Sequence, residues 1–262
     1  MMNDNINRQQ QEKYEQLWSN EWHDLHKIGP GVRTRNRILL RYFKKYIQTG
    51  SVFDSGCGDG SLLWLLHNNF QKNLIYHAGD IAETAIVTVR KFDFIHEATI
   101  IDIENSSSLP QKKFTVVVSS EVLEHIECWQ KSLRNLTELV EDQGFLFITV
   151  PAQMKFWSSH DDFAKHFRRF ELGQIEFELN NSDFEIKESW CWGWPVYWLY
   201  YTIFLRNIKP QSVMKNITSP IKKISSHILY VLFFIDDLFH TKHGRRLFII
   251  AQKKKVNSSF SS

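Results

Sequence analysis

Short apolar runs alternate along this chain with segments whose apolar residues recur at helical spacing. The runs fall at residues 51–54, 74–79, 98–101, 115–119, 145–150, 184–189 and 246–251. Residues 61–69 and 130–140 have the helical spacing, and an Asp-Gln-Gly turn at 142–144 precedes the fifth run. Such alternation predicts an α/β fold, with a doubly wound, mostly parallel seven-stranded sheet.

A long segment between the sixth and seventh runs departs from this alternation. It spans about fifty-five residues, far more than connections between neighbouring elements usually need. Residues 190–205 carry no charge and hold four of the nine tryptophans, whereas residues 206–235 contain basic residues and no acid. In the basic part an apolar stripe has helical spacing; its members are Ile221, Ile224, Ile228, Val231 and Ile235. We therefore predict an aromatic, basic helical insertion before the last strand.

These patterns divide the chain into four parts. Residues 1–50 are predicted to form an N-terminal helical cap, and residues 51–189 a cofactor-binding core. Residues 190–245 form the insertion, and residues 246–262 the last strand with a polar tail. Aromatic residues of the cap could close over a cofactor, although such stripes more often only pack against a core; they are Tyr14, Trp18 and Trp22.

Charge is distributed unevenly, although the whole chain carries only +3. Residues 189–262 hold eleven lysines or arginines and two aspartates, which leaves a net charge of −6 on the first 188 residues. The three cysteines are scattered, without the spacing of a metal site or a disulfide framework, so no metal is predicted and a reducing compartment is favoured. The polar start has no apolar segment typical of a signal peptide, and a cytoplasmic location is expected.

The insertion has two competing interpretations. It is either a lid over the substrate, with its aromatic side chains packed on the core, or an interfacial element that rests on an anionic membrane or a lipid-linked phosphate. A transmembrane span is not favoured, because neither apolar stretch reaches about eighteen residues and Pro195 interrupts the first. Nucleic-acid binding is not expected, since no RNA-binding motif accompanies the basic residues. The oligomeric state is left open.

A glycine-rich turn directly follows the first apolar run. Gly56, Gly58 and Gly60 would let a ligand lie against backbone amides at the start of a helix. A dinucleotide site typically has the pattern Gly-x-Gly-x-x-Gly, which this turn lacks. Asp54 lies two residues before the first glycine, where a carboxylate repels a pyrophosphate and holds an ammonium group. The turn thus favours a cationic amino-acid cofactor over nicotinamide dinucleotides.

Acidic residues also end the next two runs. Asp80 is placed to accept hydrogen bonds from both ribose hydroxyls of a nucleoside, and Asp102, with Ile103 beside it, from the amine of adenine. The fourth run ends in the sequence Ser-Ser-Glu-Val-Leu-Glu-His, which begins at Ser119 and includes Glu121.

The order and spacing of these motifs match those of the class I S-adenosylmethionine-dependent methyltransferases, which the chain resembles over roughly residues 51–187. Stretches at 150–151, 157–162, 166–172 and 183–184 are similar to one bacterial small-molecule subgroup. The resemblance implies a Rossmann-like fold, S-adenosylmethionine as methyl donor and release of S-adenosylhomocysteine. It also implies a set of cofactor-binding residues: Asp54, Gly56, Gly58, Gly60, Asp80, Asp102, Ile103, Ser119 and Glu121.

An alcohol or phenol acceptor must lose its proton during methyl transfer, and a histidine can take that proton near neutral pH. His125, His160 and His166 are the candidates, although each has a purely structural alternative in capping, exposure or pairing with acids. The favoured acceptor is a hydroxyl on a hydrophobic or lipid-linked small molecule. A soluble metabolite or sugar is the alternative acceptor, and a non-catalytic cofactor-binding module that docks through its basic tail is the other open interpretation.

Overall fold

A computed structural model of the chain describes residues 15, 28–70, 73–206, 208, 212 and 219–255. Most of the predicted N-terminal cap lies outside the described residues, including Tyr14, Trp18 and Trp22. The polar tail from residue 256 onward and two lysines of the insertion, Lys209 and Lys215, also lie outside them.

Seven strands of the described chain form one sheet. Its order is β3-β2-β1-β4-β5-β7-β6; β1 to β5 pair in parallel, and β7 runs antiparallel to both β5 and β6. The strand order reverses between β1 and β4, and ligands of such sheets bind at the carboxyl ends of the strands around this point. The predicted doubly wound, mostly parallel fold is confirmed. The strands are β1 Gly50–Ser55, β2 Leu74–Asp80, β3 Ile95–Ile100, β4 Phe114–Ser120, β5 Val140–Pro151, β6 Phe184–Trp192 and β7 Arg246–Lys253.

Helices cover both faces of the sheet. Successive strand residues point to opposite faces, so Val52 belongs to the core under one helical layer and Phe53 to the core under the other. The helices are α1 Pro30–Tyr46, α2 Ser61–Phe70, α3 Glu83–Val89, α4 Trp129–Glu138, α5 Ser159–Ala164, α6 Gln174–Asn180, α7 Val196–Tyr200 and α8 Pro220–Leu232.

The predicted boundary between the helix at 130–140 and the fifth strand was wrong. Helix α4 ends at Glu138, and Val140 already pairs with Phe114 of β4. The predicted turn at 142–144 is an irregular segment within β5, where the register to β4 shifts and Gln143 has a φ of 63°. Strand pairing at Val140 outweighs the local turn signal because it satisfies buried backbone groups.

The insertion begins after Trp192, because β6 extends three residues beyond the predicted end at residue 189. The fully buried carboxylate of Asp236 accepts hydrogen bonds from the backbone nitrogens of Val196 and Tyr197, at 2.7 and 2.8 Å. Asp237 pairs with Arg37 of α1 at 2.8 Å. The Asp236 contacts join the beginning of the insertion to its later part, and the Asp237 ion pair ties that part to α1.

Two aromatic residues of the insertion, Tyr201 and Phe233, are buried. The predicted apolar stripe on α8 faces outward instead, with Ile221 81% exposed and Ile224 62% exposed. Within the described part of the chain, no helix combines the length and apolar character needed to cross a membrane.

Candidate functional site

The glycine turn after β1 has the backbone shape that its sequence predicts. Gly56, Gly58 and Gly60 all have positive φ, between 53° and 82°, a region that side chains other than glycine rarely adopt. A Cβ on Gly56 would lie 2.4 Å from a methyl group of Val122. Glycine is therefore needed at Gly56 for both conformation and space.

Asp80 at the end of β2 supports this turn. Its Oδ2 accepts a hydrogen bond from the Gly58 nitrogen, and its Oδ1 accepts one from the Ala82 nitrogen, both at 2.9 Å. Burial raises the pKa of Asp80 to about 6, while the backbone hydrogen bonds lower it. The carboxylate is thus held at the edge of the turn, where a ribose was predicted to bind.

A small pocket opens beside the turn, between β1 and β4. Asp54 is 2% exposed, and its Oδ1 has no hydrogen-bond partner among the described residues. Burial raises the pKa of Asp54 to about 7, and Arg35 of α1 opposes this shift. The lining consists of Arg35, Asp54, Gly56, Cys57, Gly58, Ser61, Leu62, Ser120 and Glu121.

The two charges in this pocket fit the amino-acid end of S-adenosylmethionine. Asp54 matches its ammonium group, and the guanidinium of Arg35 matches its carboxylate. Asp54 was predicted from the sequence and Arg35 was not, because Arg35 lies nineteen residues earlier in a helix that carries no binding motif. Only the packing of α1 against the turn brings Arg35 to the pocket.

The remaining predicted cofactor residues lie at the same edge of the sheet, at or beyond the ends of β3 and β4. Asp102 accepts a hydrogen bond from the Glu104 nitrogen at 2.9 Å, and the Ile103 carbonyl accepts one from Asn135 at 2.7 Å. Ser119 is buried, and its hydroxyl has no hydrogen-bond partner among the described residues. Of the predicted residues beyond the glycine turn, Glu121 is the one that lines the pocket. The cofactor roles of Asp102, Ile103 and Ser119 stay predictions.

Two of the three predicted histidines lie together. The rings of His125 and His166 are 4.6 Å apart, nearly perpendicular to each other. His166 Nδ1 lies 2.9 Å from Oδ1 of Asp161, which is 1% exposed and also paired with Arg169 at 2.9 Å. Although burial raises the pKa of Asp161, the hydrogen bond from His166 and the charge of Arg169 outweigh it and lower this pKa to about 2.

His160 faces the insertion rather than this pair. Its Nε2 lies 3.3 Å from the Leu205 carbonyl oxygen, and its ring is 5.9 Å from that of Tyr201. Burial lowers the pKa of His160, so its neutral form is favoured. A base role for His160 stays a prediction, and the structure gives it different neighbours from those of His125 and His166.

Glu124, next to His125 in the sequence, is a further feature of the site. It is 0% exposed, and neither carboxylate oxygen has a hydrogen-bond partner among the described residues. Its Oε1 lies 3.9 Å from His125 Nε2. Burial, reinforced by the charge of Glu121, raises the pKa of Glu124.

The fold and the pocket define a class I S-adenosylmethionine-dependent methyltransferase, with S-adenosylmethionine as its cofactor. A family model described as "Methyltransferase domain" matches residues 25–189, more than half of the chain, and the chain therefore belongs to that family.

Known proteins support this assignment at different levels. A ubiquinone biosynthesis O-methyltransferase from Rickettsia typhi is 26% identical over 210 residues, covering 70% of this chain and 82% of that protein. The crystal structure of magnesium protoporphyrin IX methyltransferase from Synechocystis PCC 6803, with bound S-adenosylhomocysteine, has a TM-score of 0.60 at 12% identity and covers 93% of this chain and 98% of its own. The crystal structure of the N-methyltransferase NodS from Bradyrhizobium japonicum has a TM-score of 0.58, also at 12% identity. The match covers 93% of this chain and 97% of NodS. These structures share the fold.

Proposed function

We propose that this protein transfers a methyl group from S-adenosylmethionine to a hydroxyl of a hydrophobic or lipid-linked small molecule. The observation that carries the proposal is the Asp161–His166 pair, which lies against His125. Glu121 lines the cofactor pocket, and although burial raises its pKa, Arg246, Arg35 and more weakly His166 together lower it. Groups that can accept a proton are thus close to one residue of the pocket proposed for the cofactor, which suits a hydroxyl acceptor.

The bound cofactor supplies an electrophilic methyl group on a sulfonium. The protein has to hold the cofactor's ends, exclude water and align the acceptor oxygen with the methyl carbon. Asp54 and Arg35 hold the amino-acid end, and Asp80 holds the ribose. The new oxygen–carbon bond forms as the carbon–sulfur bond breaks, and the hydroxyl proton leaves toward the histidine pair.

The Asp161 carboxylate determines how His166 can act. Because Nδ1 donates its hydrogen to Asp161, the lone pair of a neutral His166 is at Nε2. Arg169 holds Asp161 in turn, with Nη2 at 3.0 Å from Oδ2. This chain of contacts orients the imidazole, in the same way that a carboxylate hydrogen-bonded to Nδ1 orients catalytic histidines in general.

Two observations favour a hydrophobic or lipid-linked acceptor. The related Rickettsia protein is named for ubiquinone biosynthesis, and the insertion presents an exposed apolar surface, formed by Ile221, Ile224, Ile228, Val231 and Leu238. Lys222 and Lys223 lie beside this surface, and no acid occurs between residues 206 and 235. An apolar stripe flanked by lysines suits an anionic membrane surface, from which such an acceptor would be taken.

Labelled methyl transfer into host extract tests this function. Purified protein and S-adenosylmethionine with an isotopic methyl group are incubated with extract, which is then separated into lipid, aqueous, RNA and protein fractions. Asp80→Ala serves as the cofactor-deficient control. Label in the lipid fraction that is lost with Asp80→Ala and is stable to mild base, as an ether is and a methyl ester is not, supports the proposal.

Two other results would contradict it. Label in the aqueous fraction would indicate that the methyl acceptor is a soluble metabolite or sugar, and that the insertion is a lid over the substrate. Absence of protein-dependent label, together with measurable cofactor binding, would favour a non-catalytic module.

A further inference from the structure

Glu124, His125 and His166 bring three potential metal-ligand atoms together. One atom from each side chain lies within 4.8 Å of the other two. Glu124 and His125 come from the segment after β4, and His166 comes from the loop after α5, forty-one residues later. The Phe167 nitrogen donates to the Glu124 carbonyl oxygen at 2.8 Å and so holds the two segments against each other.

Glu124 is the independent sign that this cluster receives a ligand. A fully buried carboxylate normally accepts several hydrogen bonds or pairs with a cation, since burying it without partners is costly. Neither oxygen of Glu124 has a hydrogen-bond partner among the described residues. The 3.9 Å separation from His125 Nε2 is too long for a hydrogen bond. Arg246, one of the cations near Glu124, forms its ion pair with Glu121.

His166 has the second contact that metal-binding histidines typically have. Such histidines usually donate their other ring N–H to a carboxylate, which fixes the tautomer and the ring orientation. Asp161 provides this contact at Nδ1, at 2.9 Å, and leaves Nε2 available. Arg169 holds Asp161 and completes a buried support behind the cluster.

We propose that Glu124, His125 and His166 bind a divalent transition-metal cation and that the acceptor hydroxyl becomes a further ligand. Two imidazoles and one carboxylate suit such a cation, and three protein ligands leave a coordination position for substrate. The inference rests on the proposed function for its chemical role. A coordinated hydroxyl ionises more readily, its proton passes to solvent, and the oxygen then takes the methyl group. With the cation bound, the two histidines act as ligands, and ionisation of the coordinated hydroxyl replaces the base role described for them under the proposed function.

Co²⁺ is a suitable probe because its visible absorption reports nitrogen and oxygen ligands. The full chain is treated with EDTA, dialysed and titrated with Co²⁺, by absorption and by calorimetry. We expect one tight site, and at least tenfold weaker binding in Glu124→Gln and in His166→Gln. Glu127→Gln removes an exposed carboxylate three residues away and is expected to bind like the unchanged chain. Thermal melts of each variant establish that it is folded.

Binding that is unchanged in folded Glu124→Gln, or the absence of a stoichiometric site, would overturn the proposal. Methyl transfer measured separately distinguishes this failure from that of the proposed function. Turnover of a phenolic acceptor that persists undiminished in EDTA and in Glu124→Gln would refute the metal site and leave the O-methyltransferase function intact. A Co²⁺ site that is lost in both cluster variants, in a protein that transfers no methyl to hydroxyls, would support the site and refute that function.

Discussion

Arg246 and Glu121 form an ion pair between the last strand and the turn after β4, although 125 residues separate them in the sequence. Arg246 Nε and Nη2 each lie 3.2 Å from one carboxylate oxygen of Glu121. Arg246 Nη1 also donates to the Gly31 carbonyl oxygen at 3.1 Å. The pair therefore joins β7, the wall of the cofactor pocket and the start of α1.

Replacing Arg246 by alanine is expected to lower the free energy of unfolding by about 3 kcal/mol, because it removes the ion-pair partner of the half-buried Glu121 carboxylate. Cofactor affinity should fall as well, since Glu121 lines the pocket. Urea denaturation and calorimetry with S-adenosylhomocysteine measure the two effects. Arg134→Ala, on the exposed face of α4, is the matched control and should change neither. Equal stability of the two variants would contradict a structural role for the pair.

Cofactor affinity is expected to depend on pH through Asp54. With a pKa of about 7 in the free protein, Asp54 must lose a proton before it can pair with an ammonium group. Binding of S-adenosylhomocysteine should therefore weaken about tenfold between pH 7 and pH 5.5, a range in which the ligand's amino group stays protonated. Asp54→Asn should bind more weakly at pH 7 and show little of this dependence. Asp93→Asn, an exposed control, should behave like the unchanged chain.

The same carboxyl has the opposite effect on the stability of the free protein. Its pKa is raised from 3.8 to about 7 in the folded state, so the folded protein binds the proton more tightly than the unfolded chain does. The resulting stabilisation is present below pH 4 and is lost as the pH rises through about 7. At pH 8 the free Asp54→Asn protein should therefore be more stable than the unchanged protein in urea denaturation. A lower stability would contradict the conclusion that burial of the Asp54 carboxylate raises its pKa.

Asp161→Asn should reduce kcat by about a hundredfold or more, while the cofactor Kd stays the same. The amide can turn its NH₂ group toward His166 Nδ1, which would favour the wrong tautomer and remove the available lone pair from Nε2. Asp162→Asn is a closely matched control, because Asp162 is the exposed neighbour on the same helix. Steady-state kinetics with a phenolic acceptor, and calorimetry for the cofactor, measure the two quantities. A similar loss in both variants would speak against the specific role of Asp161.

Ile224→Glu should weaken binding to vesicles that contain phosphatidylglycerol, because it places an acid in the exposed apolar stripe of α8. Turnover of a water-soluble phenol should be unaffected. Val87→Glu introduces the same change at an exposed apolar position on α3, outside the insertion, and should leave vesicle binding intact. Co-sedimentation with vesicles at low salt measures the difference. Equal binding by all three proteins would count against membrane contact through α8.

The fold and the cofactor class were predictable because their signals are local. Apolar runs of strand length, glycines in a turn and acids at strand ends are all encoded within short segments. The glycines of the turn, at 56, 58 and 60, have the expected left-handed conformation. Asp80, for which ribose binding stays a prediction, accepts a hydrogen bond from the Gly58 nitrogen of this turn. The boundary at Val140 was wrong because pairing with a distant strand, rather than local propensity, determines it.

By itself, the sequence determined the order of strands and helices, the glycine turn with its neighbouring acids, and the aromatic, basic composition of the insertion. Tertiary structure alone decided that Arg35 faces Asp54, that Arg246 pairs with Glu121, and that His166 meets Glu124 and His125. These contacts join residues nineteen to 125 positions apart, whose types and spacing carry no local signal. They arise because α1, β7 and the loop after α5 all pack at the carboxyl edge of one sheet, where burial makes each pairing of charges energetically important.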